Sequence, residues 1–225
     1  MPRPVSVAVI DSGVNVPHPH LPSVSGGVAF DLRGQESADY LDRLGHGTAA
    51  AAAIHEKAPE AEIFAVKVFD RELATTVSTL VRAIDWASER GTRLINLSLG
   101  TPNAFRAPEL APAVERAVAR GSILVSAYEH DGQTWFPGSM PGVVGVVIDV
   151  QQPREHVVAA GLGSRIALRA SPYPRPIPGV PPERNLQGIS FAVANATGVL
   201  ARVLVGHPNI VTADAAIELA RQSNG

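Results

Sequence analysis

The chain has 225 residues, 45% of them hydrophobic and 18% charged, with a formal net charge of −2 and a pI near 6.4. That length and apolar share suit one globular domain spanning residues 1–225. No cluster of Lys and Arg is dense enough to follow a phosphate backbone or an anionic membrane, and cysteine is absent, so nucleic acid, disulfides, thiolate metal sites and a cysteine nucleophile leave consideration.

The β-branched run at residues 5–10 predicts the first strand and is too short for the apolar core of a signal peptide. No segment approaches the ~18 apolar residues of a membrane span, and a cysteine-free chain is compatible with a reducing compartment; cytoplasmic residence is the expectation. The strand ends in Ile10-Asp11-Ser12-Gly13, which sets a carboxylate at the carboxyl edge of a sheet, where α/β folds gather functional groups. The same Asp also reads as a turn residue. His18 and His20 stand among prolines without a further ligand motif and read as loop residues, so no metal site and no cofactor is expected.

Gly45-His46-Gly47-Thr48 leads into an alanine run at residues 49–53, placing a histidine with small neighbours at a helix start. Imidazole, with a pKa of about 6.5, is the usual general base, and a lone His reads equally as a surface or hydrogen-bonded core residue. Further strands are predicted at residues 63–68, 94–97, 123–125 and 143–147. Their nearly continuous apolar character, with helical segments between several of them, predicts a parallel sheet covered on both faces. Val77, Leu80, Val81 and Ile84 form one helical face that stops at Glu89-Arg90-Gly91, and a second helix is predicted over residues 108–120.

Residues 171–184 are rich in proline and predict a stiff surface loop. After Gly188-Ile189-Ser190-Phe191-Ala192 a last helix, carrying Phe191, Ala194, Ala196, Val199, Leu200 and Val203, is predicted deep inside the fold, with Pro208 closing it. Ser190 at its mouth reads either as a helix N-cap or as a nucleophile. The second role requires an imidazole to accept its proton and a carboxylate to fix the imidazole tautomer.

Carboxylate, imidazole and hydroxyl occur in the order Asp, His, Ser, which is the order of subtilisin. The motifs that contain them are joined by His18-Pro-His-Leu21, Ala58-Pro-Glu-Ala-Glu-Ile-Phe-Ala-Val-Lys-Val68, Ile95-Asn-Leu-Ser-Leu-Gly100 and Phe136-Pro137, colinear over nearly the whole chain. On these residues the sequence resembles the subtilisin family. The resemblance implies an α/β, three-layer fold with a central parallel sheet flanked by helices. It also implies a serine endopeptidase in which Asp11, His46 and Ser190 form the catalytic triad, while Leu97, Ser98, Leu99 and Gly100 offer backbone to an extended peptide or protein substrate.

The sequence departs from the family at several places. The family's oxyanion Asn is missing from Ser126-Ala127-Tyr128-Glu129-His130-Asp131-Gly132. Ungapped counting puts His130 at its position, and a shift of one residue puts Glu129 there. An imidazole N–H donates to an oxyanion, whereas a carboxyl group does so only when protonated, so His130 is preferred. Ile189 stands where the family commonly has Thr, Asn195 where its helix often carries His, and His20 where it often has Asp. No acidic loop resembles an EF-hand. Because the chain opens almost directly on its first strand, the expectation is an intracellular member without signal or folding prodomain. It is similar to the small subtilisin-like proteases that remove leaders from modified peptides or enzyme subunits, including the one that matures quinohemoprotein amine dehydrogenase. Two other functions stay open: a catalytically weak or inactive module that binds a peptide or partner subunit, and a transpeptidase in which an amine outcompetes water.

Overall fold

The computed structural model describes residues 4–163, 165–181 and 184–223. Pro182 and Glu183 of the proline-rich segment, and both ends of the expected 1–225 domain, lie outside the described residues. The chain forms β1 (Ser6–Asp11), β2 (Gly26–Phe30), β3 (Glu36–Ser37), α1 (His46–Lys57), β4 (Glu62–Lys67), α2 (Val77–Glu89) and β5 (Leu94–Leu97). A short 3-10 helix at Ala104–Arg106 leads into α3 (Ala107–Ala119), β6 (Ile123–Ala127), β7 (Glu129–His130), β8 (Gln133–Thr134) and β9 (Val143–Ile148). Then follow β10 (Val158–Leu162), β11 (Arg165–Ala170), α4 (Ile189–Val203) and α5 (Ala213–Gln222).

The main sheet has the order β10-β11-β9-β6-β5-β1-β4-β2-β3, and β7 with β8 makes a separate hairpin. From β11 to β2 every pairing is parallel, and β10 and β3 close the two edges in antiparallel fashion. Alternation along β1 explains the layering. Val7 and Val9 pack into the core shared with α1, α4 and α5, while Ala8 and Ile10 pack into the core shared with α2 and α3. Both faces are therefore buried, which is why the central strands read as nearly continuous apolar runs. The expected three-layer α/β architecture is what forms. No described helix is long and apolar enough to cross a membrane.

The burial of α4 follows from its small residues. Every residue from Phe191 to Ala201 is buried, and at Gly198 an added Cβ would stand 3.0 Å from Lys57 Cδ and 3.1 Å from Ile54 Cα, so α1 packs directly on the helix backbone there. From β1 the chain first builds β2 and β4 on one side, then β5, β6 and β9 on the other. Such a reversal opens a crevice at the carboxyl ends of the strands, and Asp11 ends β1 beside it.

Candidate active site

Asp11 is wholly buried. Its Oδ1 accepts the Ser12 N–H at 2.7 Å, and His46 Nδ1 lies 2.7 Å from Oδ1 and 3.0 Å from Oδ2. The carboxylate thus serves the turn through Ser12 and meets the imidazole at the same time. Gly47 allows the approach: a Cβ there would stand 2.2 Å from the Gly13 carbonyl oxygen and 3.2 Å from Asp11 Cβ. Burial disfavours the His46 imidazolium, but the hydrogen bond and charge of Asp11, with the charge of Asp42, outweigh it and hold the His46 pKa above its ordinary value. The Phe191 ring packs on the imidazole with centroids 5.2 Å apart.

Ser190 lies in the first turn of α4, after Gly188 at φ +144. No side chain caps this helix, so the N-cap reading of Ser190 does not hold. Its Oγ instead donates to the Ser98 carbonyl oxygen at 3.0 Å, and Ser98 Oγ donates to the Ser190 carbonyl oxygen at 3.0 Å. His46 and Ser190 open on one cleft of about 710 Å³, together with Ser98, Leu99, Gly100 and His130. Leu97 departs from the substrate-binding expectation. It is wholly buried, and its backbone is in register with Ile10 of β1 and Ser126 of β6, so the sheet already surrounds it.

The β7–β8 hairpin turns through Asp131 at φ 52 and Gly132 at φ 73. Successive strand residues point to opposite sides, and of the two residues weighed for the oxyanion, His130 faces the cleft while Glu129 is exposed and does not line it. The His130 ring meets Trp135 edge-on at 5.9 Å, and its Nε2 lies 3.5 Å from Asp131 Oδ2. His18 and His20 form a closed loop, with rings 5.5 Å apart and the His20 N–H donating to His18 Nδ1 at 3.2 Å. Among the described residues, no group of three or more His, Cys, Asp or Glu side chains is placed to hold a metal ion.

The sequence profile of the subtilase family (peptidase S8) matches residues 3–152. The chain belongs to the subtilase family. Subtilisin NAT of Bacillus subtilis subsp. natto is 30% identical over 227 aligned residues, which take in 91% of this chain and 56% of the relative. Subtilisin of Bacillus pumilus is also 30% identical, with 91% of this chain and 78% of the relative covered. The chain thus spans only 56% of the length of subtilisin NAT and likewise of subtilisin E of Bacillus subtilis (strain 168). Among solved structures, sphericase superposes with a TM-score of 0.76 at 20% identity over 98% of this chain and 83% of its own. A lanthipeptide protease does so with a TM-score of 0.74 at 20% identity over 99% and 82%. These two likenesses concern the fold.

Two residues of this subtilase escaped the sequence motifs or were seen there only as a departure. Asp42 is buried, and its carboxylate accepts the Ser12 hydroxyl, the N–H groups of Leu44, Gly45 and Thr48, and the Thr48 hydroxyl. It shapes the turn that presents His46. The available signal was an Asp three residues before Gly45, a common former of side-chain turns. Asn195, also buried, donates through Nδ2 to the carbonyls of Ser171 at 2.8 Å and Tyr173 at 2.9 Å. A two-donor amide suits two carbonyls where a neutral imidazole would supply one donor, and it ties the proline-rich segment to α4.

Proposed function

We propose that this subtilase is a serine endopeptidase, with residues 1–225 as one catalytic domain, that hydrolyses a peptide bond in an extended segment of a protein or leader-bearing precursor. The observation that carries the reading is the Asp11–His46 pair at 2.7 Å, opening on the same cleft as Ser190. In the proposed reaction the Ser190 hydroxyl turns from the Ser98 carbonyl to His46 and attacks the peptide carbonyl carbon. His46 takes the proton and returns it to the leaving amine; a water deprotonated by His46 then releases the acyl-enzyme. Asp11 holds His46 Nδ1–H and stabilises the imidazolium. The Ser190 N–H and the His130 ring donate to the oxyanion, and Ser98, Leu99 and Gly100 receive the peptide as an added strand.

The proposed substrate is a dedicated one. Loss of one oxyanion donor typically removes about 2.7–4 kcal/mol of transition-state stabilisation, and an imidazole replacing the family's Asn suits slow, specific processing. The lanthipeptide protease, named for a peptide of one kind, has this fold at 20% identity. A cytoplasmic location belongs to the same proposal and is supported by the cysteine-free composition.

Fluorophosphonate labelling of the protein beside Ser190→Ala, read by intact mass, tests the reading without a known substrate. An adduct that depends on Ser190 supports an activated nucleophile. Its absence on folded protein favours a second reading, a peptide-binding module, for which the hydrogen bond of Ser190 Oγ to Ser98 in place of His46 is the favouring observation.

A further inference from the structure

Polar side chains run in line from the middle of α4 to the proposed nucleophile. Thr197 Oγ1 donates to Asn96 Oδ1 at 2.9 Å, Asn96 Nδ2 donates to Ser98 Oγ at 2.8 Å, and Ser98 Oγ donates to the Ser190 carbonyl oxygen at 3.0 Å. Thr197 and Asn96 are wholly buried. Packing does not call for Asn96, since the residues in register with it on the flanking strands are Val9 and Val125. A buried amide is costly unless its polar atoms are satisfied, and here both ends of the Asn96 amide are engaged, with donor and acceptor alternating consistently along the line.

The far end of the line is a reciprocal tie. Ser98 and Ser190, 92 residues apart, each place a hydroxyl on the other's carbonyl. The start of α4 has no side-chain cap of its own, and this lateral hydrogen bond from β5's continuation restrains its first turn through the Ser190 carbonyl. The Thr197 hydroxyl also lies 2.9 Å from the Val193 carbonyl oxygen, one turn back on the same helix, so its single proton is shared between that acceptor and Asn96 Oδ1.

We propose that Asn96 and Thr197 are positioning residues that act through Ser98 to set the first turn of α4, and with it Ser190 Oγ, against His46 and the peptide-receiving segment. This rests on the endopeptidase reading above. Without the Thr197 donor, Asn96 Oδ1 loses its partner, the amide is free to rotate, and the hold of Ser98 on the Ser190 carbonyl slackens.

The test is Thr197→Val, which keeps the shape of the side chain and removes the donor, beside Thr197→Ser, which restores it. The maximal rate of fluorophosphonate capture at Ser190 and the reagent's half-saturating concentration are measured separately, with circular dichroism and thermal unfolding on each protein. The expected result is a capture rate lower by about 10- to 100-fold in Thr197→Val, an unchanged half-saturating concentration, and recovery in Thr197→Ser. A folded Thr197→Val with the wild-type rate, or a Thr197→Ser as slow as the valine variant, overturns the proposal. If Thr197→Val does not fold, Ser98→Ala reads the last link, and an undiminished rate there overturns it equally. Failure of the wild type to form an adduct overturns the endopeptidase reading and this role with it, whereas a labelled wild type with unaffected variants overturns this role alone.

Discussion

Asp42 Oδ2 accepts both the hydroxyl of Thr48, at 2.6 Å, and its N–H, at 2.9 Å, and so closes the loop that carries His46. Burial works against its charge, but the hydrogen bonds from Thr48, Leu44 and Ser12 prevail and lower its pKa. Its contribution to stability is therefore present above the ordinary carboxylate range and is lost as pH falls through the depressed folded value. Asp42→Ala strands several donors, and a loss of roughly 3 kcal/mol of stability is expected, together with slower labelling at Ser190. Denaturant unfolding at neutral pH measures the first effect, and an unchanged midpoint would remove Asp42 from this role.

Asp11→Asn keeps the shape of the buried side chain and removes its charge. An amide presents the imidazole with a donor as readily as an acceptor, so the wrong tautomer is favoured and turnover is expected to fall by about 10⁴-fold. Titration of the His46 ring by NMR is expected to show its pKa falling from the raised wild-type position, because the hydrogen bond and charge that oppose burial are both weakened. A ring that titrates as in the wild type counts against the pairing.

Activity and stability are expected to change in opposite senses with pH around His46. The folded pKa is raised, so the pair's stabilisation is fully present below the ordinary histidine value and is lost as pH rises through the folded one. Proton abstraction needs the neutral ring, so the acidic limb of the rate profile should lie above the ordinary histidine value. Labelling rates across pH, set beside thermal unfolding of the wild type and Asp11→Asn, read both; parallel trends would contradict the assignment.

His130→Ala is expected to lower kcat by about 10²- to 10³-fold with KM nearly unchanged, as for loss of an oxyanion donor. Glu129→Gln, outside the cleft lining, should leave both parameters near the wild type. The reverse pattern, with Glu129 the sensitive residue, would transfer the role to it.

The parts of the fold legible in the sequence were those whose signal is local. The central strands β1, β4, β5, β6 and β9 are buried on both faces and appear as apolar runs, and α2 carries a one-sided stripe ended by glycine. Less legible were β2, which begins Gly26-Gly27, and the β10–β11 edge hairpin, whose partly exposed residues lack a clear period. Those strands exist because neighbours pair with them. The same division holds at the site. Asp11, His46 and Ser190 lie in short motifs, but Asp42 acts through the six-residue loop it closes, and Asn96 and Thr197 meet through a hydrogen bond spanning 101 residues. His130 and Glu129 were adjacent letters until the hairpin sent them to opposite sides.

The placement of Ser190 on α4 has a consequence during synthesis. Ribosomal growth delivers Asp11 and His46 before β4 to β11, yet the hydroxyl they would activate under the endopeptidase reading emerges only after every strand of the main sheet, on a helix that packs against α1. Between those two points the growing chain holds Asp11 and His46 without Ser190. On that reading the order of the elements is itself a safeguard, because Ser190 is withheld until every strand of the main sheet has been made.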